Sequence, residues 1–146
     1  MKATATMEKQ TGLLSYQKET IIRFEEGLIG FSGCKTFVLM ETEIIAPFRL
    51  LQSTDNEKLS FLILDPTVVL KDYHRLIPQR EWEALGLDDP AAKLAFAICI
   101  LGSSAAESSG NFQAPIIVNC TKMIGRQIIL TDSELSVRHP LVCALS

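Results

Sequence analysis

Four pairs of acidic residues are the groups in this sequence whose type and spacing could support acid–base or metal chemistry. They are Glu25 with Glu26, Glu41 with Glu43, Glu81 with Glu83, and Asp88 with Asp89. A catalytic carboxylate needs further groups around it, such as a histidine or lysine that completes the proton transfer. No such pattern accompanies any of the pairs, so we interpret all of them as solvated surface charges and expect no catalytic site.

The cysteines and histidines do not form a metal-binding or nucleophilic pattern either. The cysteines are Cys34, Cys99, Cys120 and Cys143. They contain no C-x-x-C pair, and the only imidazoles are those of His74 and His139, so we expect no metal and no cofactor. Ser136 precedes His139 without the elbow motif of a nucleophilic serine. Cys99 and Cys120 lie in apolar runs, where a free cysteine behaves as a small buried side chain. An even number of cysteines also allows disulfides, which a cytoplasmic domain of this size does not need.

Three glycines at regular spacing, Gly27, Gly30 and Gly33, raise the possibility of a phosphate-binding loop. Their spacing, G-x-x-G-x-x-G, differs from the dinucleotide fingerprint and from the Walker A loop, and no Lys-Ser or Lys-Thr pair follows at the required position. We therefore expect these glycines to form turns rather than to bind a nucleotide.

Composition narrows the classes of function further. The chain has 146 residues, 47% of them hydrophobic, and a net charge of -3, which suits one domain with a single core and disfavours nonspecific binding to nucleic acid or anionic membranes. Its longest apolar run, Leu94 to Leu101, is far shorter than the roughly 20 residues that cross a bilayer. Residues 1–10 lack the apolar centre of a signal peptide. We expect a cytoplasmic protein with a protein partner, a flexible leader over residues 1–15, and a single domain over residues 16–146.

Short apolar runs bounded by turn-forming residues predict a mainly β fold. The predicted strands are Thr20 to Phe24, Thr36 to Met40, Pro47 to Gln52, Leu59 to Leu64 and Leu94 to Leu101. Between Pro78 and Gly86 the pattern changes to that of a short helix, with Trp82 and Leu85 on one face and Trp82 anchoring the helix to the sheet. Because this many short strands need protected edges, we expect a strongly curved antiparallel sheet or a small barrel.

The stretch from Asn111 to Leu130 predicts a β-hairpin. Pro115 begins its first apolar run, where a missing N–H harms a ladder least, and the run continues with β-branched residues. A short polar connection containing Gly125 leads to a second run, Ile128 to Leu130, which repeats the pattern. A hairpin carries no chemistry of its own, so function has to be argued from elsewhere.

Several segments, taken together, match one protein family in order and spacing. They are Arg23 to Phe31, Phe37 to Leu39, Pro47 to Ser53, Asp65 with Pro66, Gln113 to Asn119, Gly125 to Leu130 and Arg138 to Leu141. This series resembles the FliW family of flagellar assembly factors over roughly residues 20 to 141. No segment among them is a catalytic signature.

The resemblance implies a mainly β fold: a small antiparallel β-barrel-like single domain with one or two short helices. It also implies a protein that is not an enzyme and that binds newly made flagellin in the cytoplasm. Release from flagellin would free it to bind CsrA, the dimeric RNA-binding repressor of flagellin translation, and to antagonise it noncompetitively, away from its main RNA surface. Flagellin synthesis would thereby be coupled to secretion.

Two alternatives to this function stay open. The first is a flagellin-specific chaperone without CsrA control, and the second is a small-molecule enzyme on a barrel scaffold, which would require a concave pocket with convergent titratable groups.

The resemblance also implies residues that contact the partners. Phe112 and Pro115 would supply an apolar anchor, while Gln113, Asn119 and Gln127 would bond to a partner's backbone. The full set of expected contact residues is Asn111, Phe112, Gln113, Ala114, Pro115, Asn119, Lys122, Gln127, Glu25 and Glu26. The same positions would also fit packing within the fold, and the sequence leaves that alternative open.

Overall fold

In a computed structural model, the described residues of the chain form eight strands, seven of which close into a barrel. The structure describes residues 17–131 and 134–142, so the predicted leader over residues 1–15 lies outside the described part. The strands are β1 Gln17–Phe24, β2 Thr36–Thr42, β3 Phe48–Ser53, β4 Ser60–Leu64, β5 Lys93–Ile100, β6 Ser109–Asn119, β7 Ile124–Gln127 and β8 His139–Pro140.

The strands β1 to β5 pair in chain order, β5 pairs with β6, β6 with β7, and β7 returns to β1. Each of these pairings is antiparallel except the last, in which Arg23 lies beside Ile124 and Phe24 beside Gly125 in parallel register. The predicted small β-barrel is confirmed, and a single parallel pair closes it. Closure leaves these seven strands without an open edge, while β8 adds to the start of β6.

Alternating side chains of the strands fill the barrel interior. On β1, Ile22 and Phe24 are fully buried, whereas Ile21 before them and Arg23 between them are exposed. Phe24 meets Phe37 of β2 edge-to-face with ring centroids 5.6 Å apart. This alternation is the side-chain period of a β-strand.

A second apolar layer covers the outer face of the barrel between β4 and β5. The connection consists of 3-10 turns at Pro66–Val68, Tyr73–Leu76 and Pro90–Ala92 and one α-helix, α1 Gln79–Ala84. Trp82 of α1 is buried in the same cluster as Ala95 and Ile117 of the barrel. The predicted short helix and the anchoring role of Trp82 are confirmed. None of the helices that the structure describes is long and apolar enough to pass through a membrane.

The predicted hairpin is present as β6 and β7, but its turn lies at other residues than the sequence predicts. The connection is residues 120–123, where Met123 has a φ of 55°, and Gly125 lies within β7. Gly125 is required for close packing, because a Cβ there would lie 2.7 Å from the ring of Phe24. The run Ile128 to Leu130, predicted as the second strand, follows β7 instead.

Strand β6 contains an irregularity that positions the candidate site. Ile98 of β5 pairs with Asn111, whereas Phe96 pairs with Ile116, so the four residues 112–115 face a single residue of β5. We call residues 112–115 the β6 bulge. An insertion of this kind bends a strand and frees its backbone groups for other partners. Here the backbone N–H groups of Ile128 and Leu130 donate to carbonyls of the bulge at 3.0 and 2.8 Å.

Candidate protein-binding surface

The side chain of Gln127, at the end of β7, joins two segments that are far apart in sequence. Its Oε1 accepts a hydrogen bond from the backbone N–H of Ile29 at 2.9 Å, and its Nε2 donates to the carbonyl of Ala114 at 3.0 Å. A primary amide can donate and accept at once, which a hydrophobic residue or a carboxylate cannot do. We call the region formed by the β1–β2 loop (residues 25–35), the β6 bulge and residues 127–130 the Gln127 junction.

Asn111 fixes the backbone at the entrance to the β6 bulge. Its Oδ1 accepts hydrogen bonds from the backbone N–H groups of Gln113 at 3.2 Å and of Ala114 at 3.0 Å. Short polar side chains commonly stabilise tight bends in this way. Asn111 and Gln113 are half-buried, so each retains some surface beside the junction. Asn111, Gln113, Ala114 and Gln127, which the resemblance predicts to contact a partner, are therefore brought together by the fold.

Phe112 lies inside the protein rather than on its surface. Its side chain is fully buried, with its ring 5.6 Å from that of Tyr73 in an edge-to-face contact and 4.6 Å from that of His139 in a stacked one. The hydroxyl of Tyr73 donates to the carbonyl of Phe112 at 2.6 Å. Pro115 is also buried. In this conformation neither Phe112 nor Pro115 offers the apolar anchor expected of them, and both support the bulge from within.

Other apolar side chains are exposed at the Gln127 junction. Ile29, whose N–H is bonded to Gln127, is 55% exposed, and Ile129, two residues after Gln127, is 58% exposed. Phe31 of the same loop is 40% exposed and rests edge-to-face on Phe61 at 5.5 Å. Exposed apolar side chains that form one contiguous patch are typical of protein-binding surfaces. Sequence reasoning missed these three residues.

The acidic residues Glu25 and Glu26 lie at the start of the β1–β2 loop, and both are exposed. Arg126 of β7 contacts the Glu26 carboxylate at 3.9 Å and the Glu81 carboxylate of α1 at 3.4 Å. Lys35, at the end of the loop, donates to the backbone carbonyl of Glu25 at 2.6 Å. The junction thus has an acidic margin in which the two predicted glutamates are accessible to a partner.

Asn119 and Lys122 lie away from the junction, at the opposite end of β7. Asn119 is only 1% exposed; its Oδ1 accepts from the N–H groups of Thr121 and Lys122, and its Nδ2 donates to the carbonyl of Leu85 at 2.9 Å. These bonds fix the β6–β7 turn and tie it to the end of α1. Lys122 is exposed, and its amine lies beside Gly86. The structure therefore separates these two residues from the other predicted contacts.

Comparison with known proteins identifies the family of this chain. The sequence model of the FliW protein family matches residues 5–141. The chain belongs to the FliW family. The flagellar assembly factor FliW of Desulfitobacterium hafniense is 38% identical over 130 residues, 89% of this chain and 86% of that protein. The homologue of Caldanaerobacter subterraneus is 34% identical over 135 residues, covering 92% and 90% of the two chains.

A FliW homologue from Bacillus subtilis is 32% identical over 133 residues, covering 91% of this chain and 93% of the relative. Among solved structures, a crystal structure of the flagellar assembly factor FliW superposes with a TM-score of 0.75 at 30% sequence identity and covers 83% of this chain and 84% of that one. The closed barrel described above is therefore the FliW fold.

Two titratable side chains of this FliW-family chain, those of Cys99 and Tyr73, are buried. Burial raises the pKa of the Cys99 thiol to about 12 and raises the pKa of Tyr73 above its ordinary value, so both groups are protonated at neutral pH. Glu41 is paired with Arg49. Within residues 17–131 and 134–142, no group of three or more histidine, cysteine or acidic side chains is arranged to hold a metal ion.

Proposed function

We propose that this chain is a flagellar assembly factor that acts through protein binding in the cytoplasm, without catalysis. It holds newly made flagellin, and when flagellin is exported it binds the translational repressor CsrA. Binding releases CsrA from flagellin mRNA, so translation follows secretion. The observation that carries this proposal is membership of the FliW family over residues 5–141, because the relatives are named flagellar assembly factors.

The Gln127 junction is the surface that we assign to partner binding. Ile29 and Ile129 provide the exposed apolar groups, and Glu25, Glu26 and Gln113 provide the polar margin. An apolar centre with a polar rim is the usual composition of a protein interface. The bonds of Gln127 and Asn111 hold the backbone of this surface in place before a partner arrives, which lowers the entropy lost on binding.

The charge of the chain supports antagonism of an RNA-binding partner. With a net charge of -3, the protein brings negative potential to any basic protein that it binds. Negative potential beside an RNA site weakens its attraction for phosphates without occupying the site itself. A noncompetitive mode of antagonism is consistent with this effect.

The proposal is tested by capture of partners and by release of RNA. A pull-down from the native cytoplasm should recover flagellin and CsrA, and the purified protein at saturation should release CsrA from flagellin mRNA. Recovery of neither protein would refute the proposal. Recovery of flagellin without any release of RNA would favour the alternative, a flagellin chaperone without CsrA control.

The assignment of the surface is tested separately by substitution. Changing Ile29 or Ile129 to aspartate should weaken binding of both partners by about 10-fold or more, because burying a carboxylate in an apolar contact is unfavourable. The matched control is Leu76→Asp, an exposed apolar residue in the outer layer. Equal affinities for all three variants and the unaltered protein would exclude the Gln127 junction as the partner-binding surface. The proposed function would not be affected by that result.

A further inference from the structure

A cleft of about 400 Å³ opens at the opposite end of the barrel from the Gln127 junction. The β1–β2 loop of the junction leads into the start of β2, whereas the cleft lies at the end of β2, between the β2–β3 turn and the 3-10 turn that follows β4. Pro47, Phe48 and Val68 give it apolar walls. This volume is in the range of natural binding sites and admits one or two side chains.

The positive charge in the lining of this cleft is already neutralised. Arg49 donates from Nε to Glu41 Oε1 at 2.5 Å, and its guanidinium lies 5.4 Å from the ring centroid of Phe96. Both members of the pair line the cleft and are about one-third exposed. Arg49 is therefore held by its own chain and is not available to attract an anionic ligand.

Two carboxylates of the lining have no cation opposite them. In the described part of the chain, neither Glu43, which is exposed, nor Asp65 takes part in an ion pair. Asp65 is held in place because its Oδ1 accepts from the N–H and the hydroxyl of Thr67 at 2.9 and 2.7 Å. The cleft therefore combines apolar walls with two carboxylates in its lining that have no ion-pair partner.

We propose that this cleft docks a basic segment of a protein partner, in which an arginine or lysine adjoins an apolar side chain. The apolar group would enter between Pro47 and Val68, and the cation would meet Glu43 and Asp65. Long cationic side chains suit such a site because their methylene stems pack on apolar walls while their charge stays at the rim. Since the cleft and the Gln127 junction lie at opposite ends of the barrel, this contact goes beyond the proposed function, and both can be occupied at once.

A labelled peptide tests the cleft without knowledge of the natural partner. The probe is a fluorescein-labelled hexapeptide of alternating leucine and arginine, titrated into the full chain by anisotropy, with amide shifts of Ala46 and Val68 mapping its position by NMR. The double variant Glu43→Gln with Asp65→Asn removes both charges and keeps the oxygen that bonds Thr67. The control is Glu83→Gln, an exposed carboxylate of α1.

The expected results follow from charge and shape. The double variant should bind the peptide about 5- to 10-fold more weakly, as expected for two exposed ion pairs, while Glu83→Gln should bind as the unaltered protein does. Val68→Lys should also abolish binding. A peptide with glutamate in place of arginine should not bind, and one with serine in place of leucine should bind more weakly.

Several results would overturn the proposal. Equal affinity of the double variant, or amide shifts confined to the Gln127 junction, would place the peptide elsewhere. If changing Lys2 and Lys9 to glutamate made the peptide bind more tightly, the occupant of the cleft would be the N-terminal segment of the chain itself. Self-association in sedimentation that Val68→Lys abolishes would assign it to a second copy of the chain.

Discussion

Replacing Gln127 by alanine tests whether this residue holds the junction together. The change removes two hydrogen bonds, one from the N–H of Ile29 and one to the carbonyl of Ala114. Ile29 is exposed, so water can replace its lost acceptor, whereas Ala114 is 7% exposed and its carbonyl would lose its partner inside the protein. We expect the free energy of unfolding to fall by about 1 to 3 kcal/mol, most of it from the Ala114 carbonyl.

Two measurements follow this change. Urea denaturation can be monitored by the fluorescence of Trp82, which is the single tryptophan of the chain and is buried. Hydrogen exchange at the Ile29 amide reports the junction directly and should accelerate by about 10-fold or more in Gln127→Ala, as expected for loss of about 1.4 kcal/mol of local protection. Gln79→Ala, at an exposed position that begins α1, is the control.

A third variant separates the two bonds. Gln127→Glu keeps an acceptor for the Ile29 amide but has no donor for the Ala114 carbonyl. Exchange at Ile29 should therefore stay slow in Gln127→Glu, although stability still falls. If exchange at Ile29 were equally slow in Gln127→Ala, the loop would be held by other contacts and the reasoning would be wrong.

Three further predictions concern side chains in the protein interior. Tyr73→Phe removes the hydroxyl that donates to the carbonyl of Phe112 and should cost about 1 to 3 kcal/mol in urea unfolding, while an unchanged midpoint would contradict that bond. The free energy of unfolding should fall as pH rises from about 9 toward 12. Burial raises the pKa of Cys99, so over this range the folded state retains a proton that the unfolded state loses. Denaturation measured as a function of pH should show a smaller fall in Cys99→Ala. Gly125→Ala should destabilise by about 1 to 3 kcal/mol through a clash with the Phe24 ring, and calorimetry that shows no loss would exclude the tight contact.

The barrel could be predicted from sequence because its signals are local. Short apolar runs such as the one around Phe37, and the helix signal around Trp82, depend on neighbours along the chain. The parallel pairing of β7 with β1 depends on residues about 100 positions apart, as does the bond from Ile29 to Gln127, which spans 98. No local pattern encodes such a pairing.

The candidate surface was predictable only in part, for the same reason. Asn111 and Gln127 are both among the predicted contact residues, and the fold brings them to one region, but the contacts that bury Phe112 come from Tyr73, 39 residues away, and from β8. An aromatic residue in an apolar run is equally compatible with an anchor and with a core position. Ile128, Ile129 and Leu130 are three consecutive apolar residues, so the sequence does not mark one of them as exposed, and only the structure shows that the middle residue faces outward. Partner contact by the predicted residues stays a prediction.

Mutual exclusion of the two partners tests the central proposal most directly. Fluorescently labelled CsrA is bound to the purified protein, and flagellin is titrated in while sedimentation follows the size of the labelled species. If both partners use the Gln127 junction, flagellin should displace CsrA completely, and only two-component complexes should form. A stable complex that contains flagellin, CsrA and this protein together would contradict partner exchange on one surface.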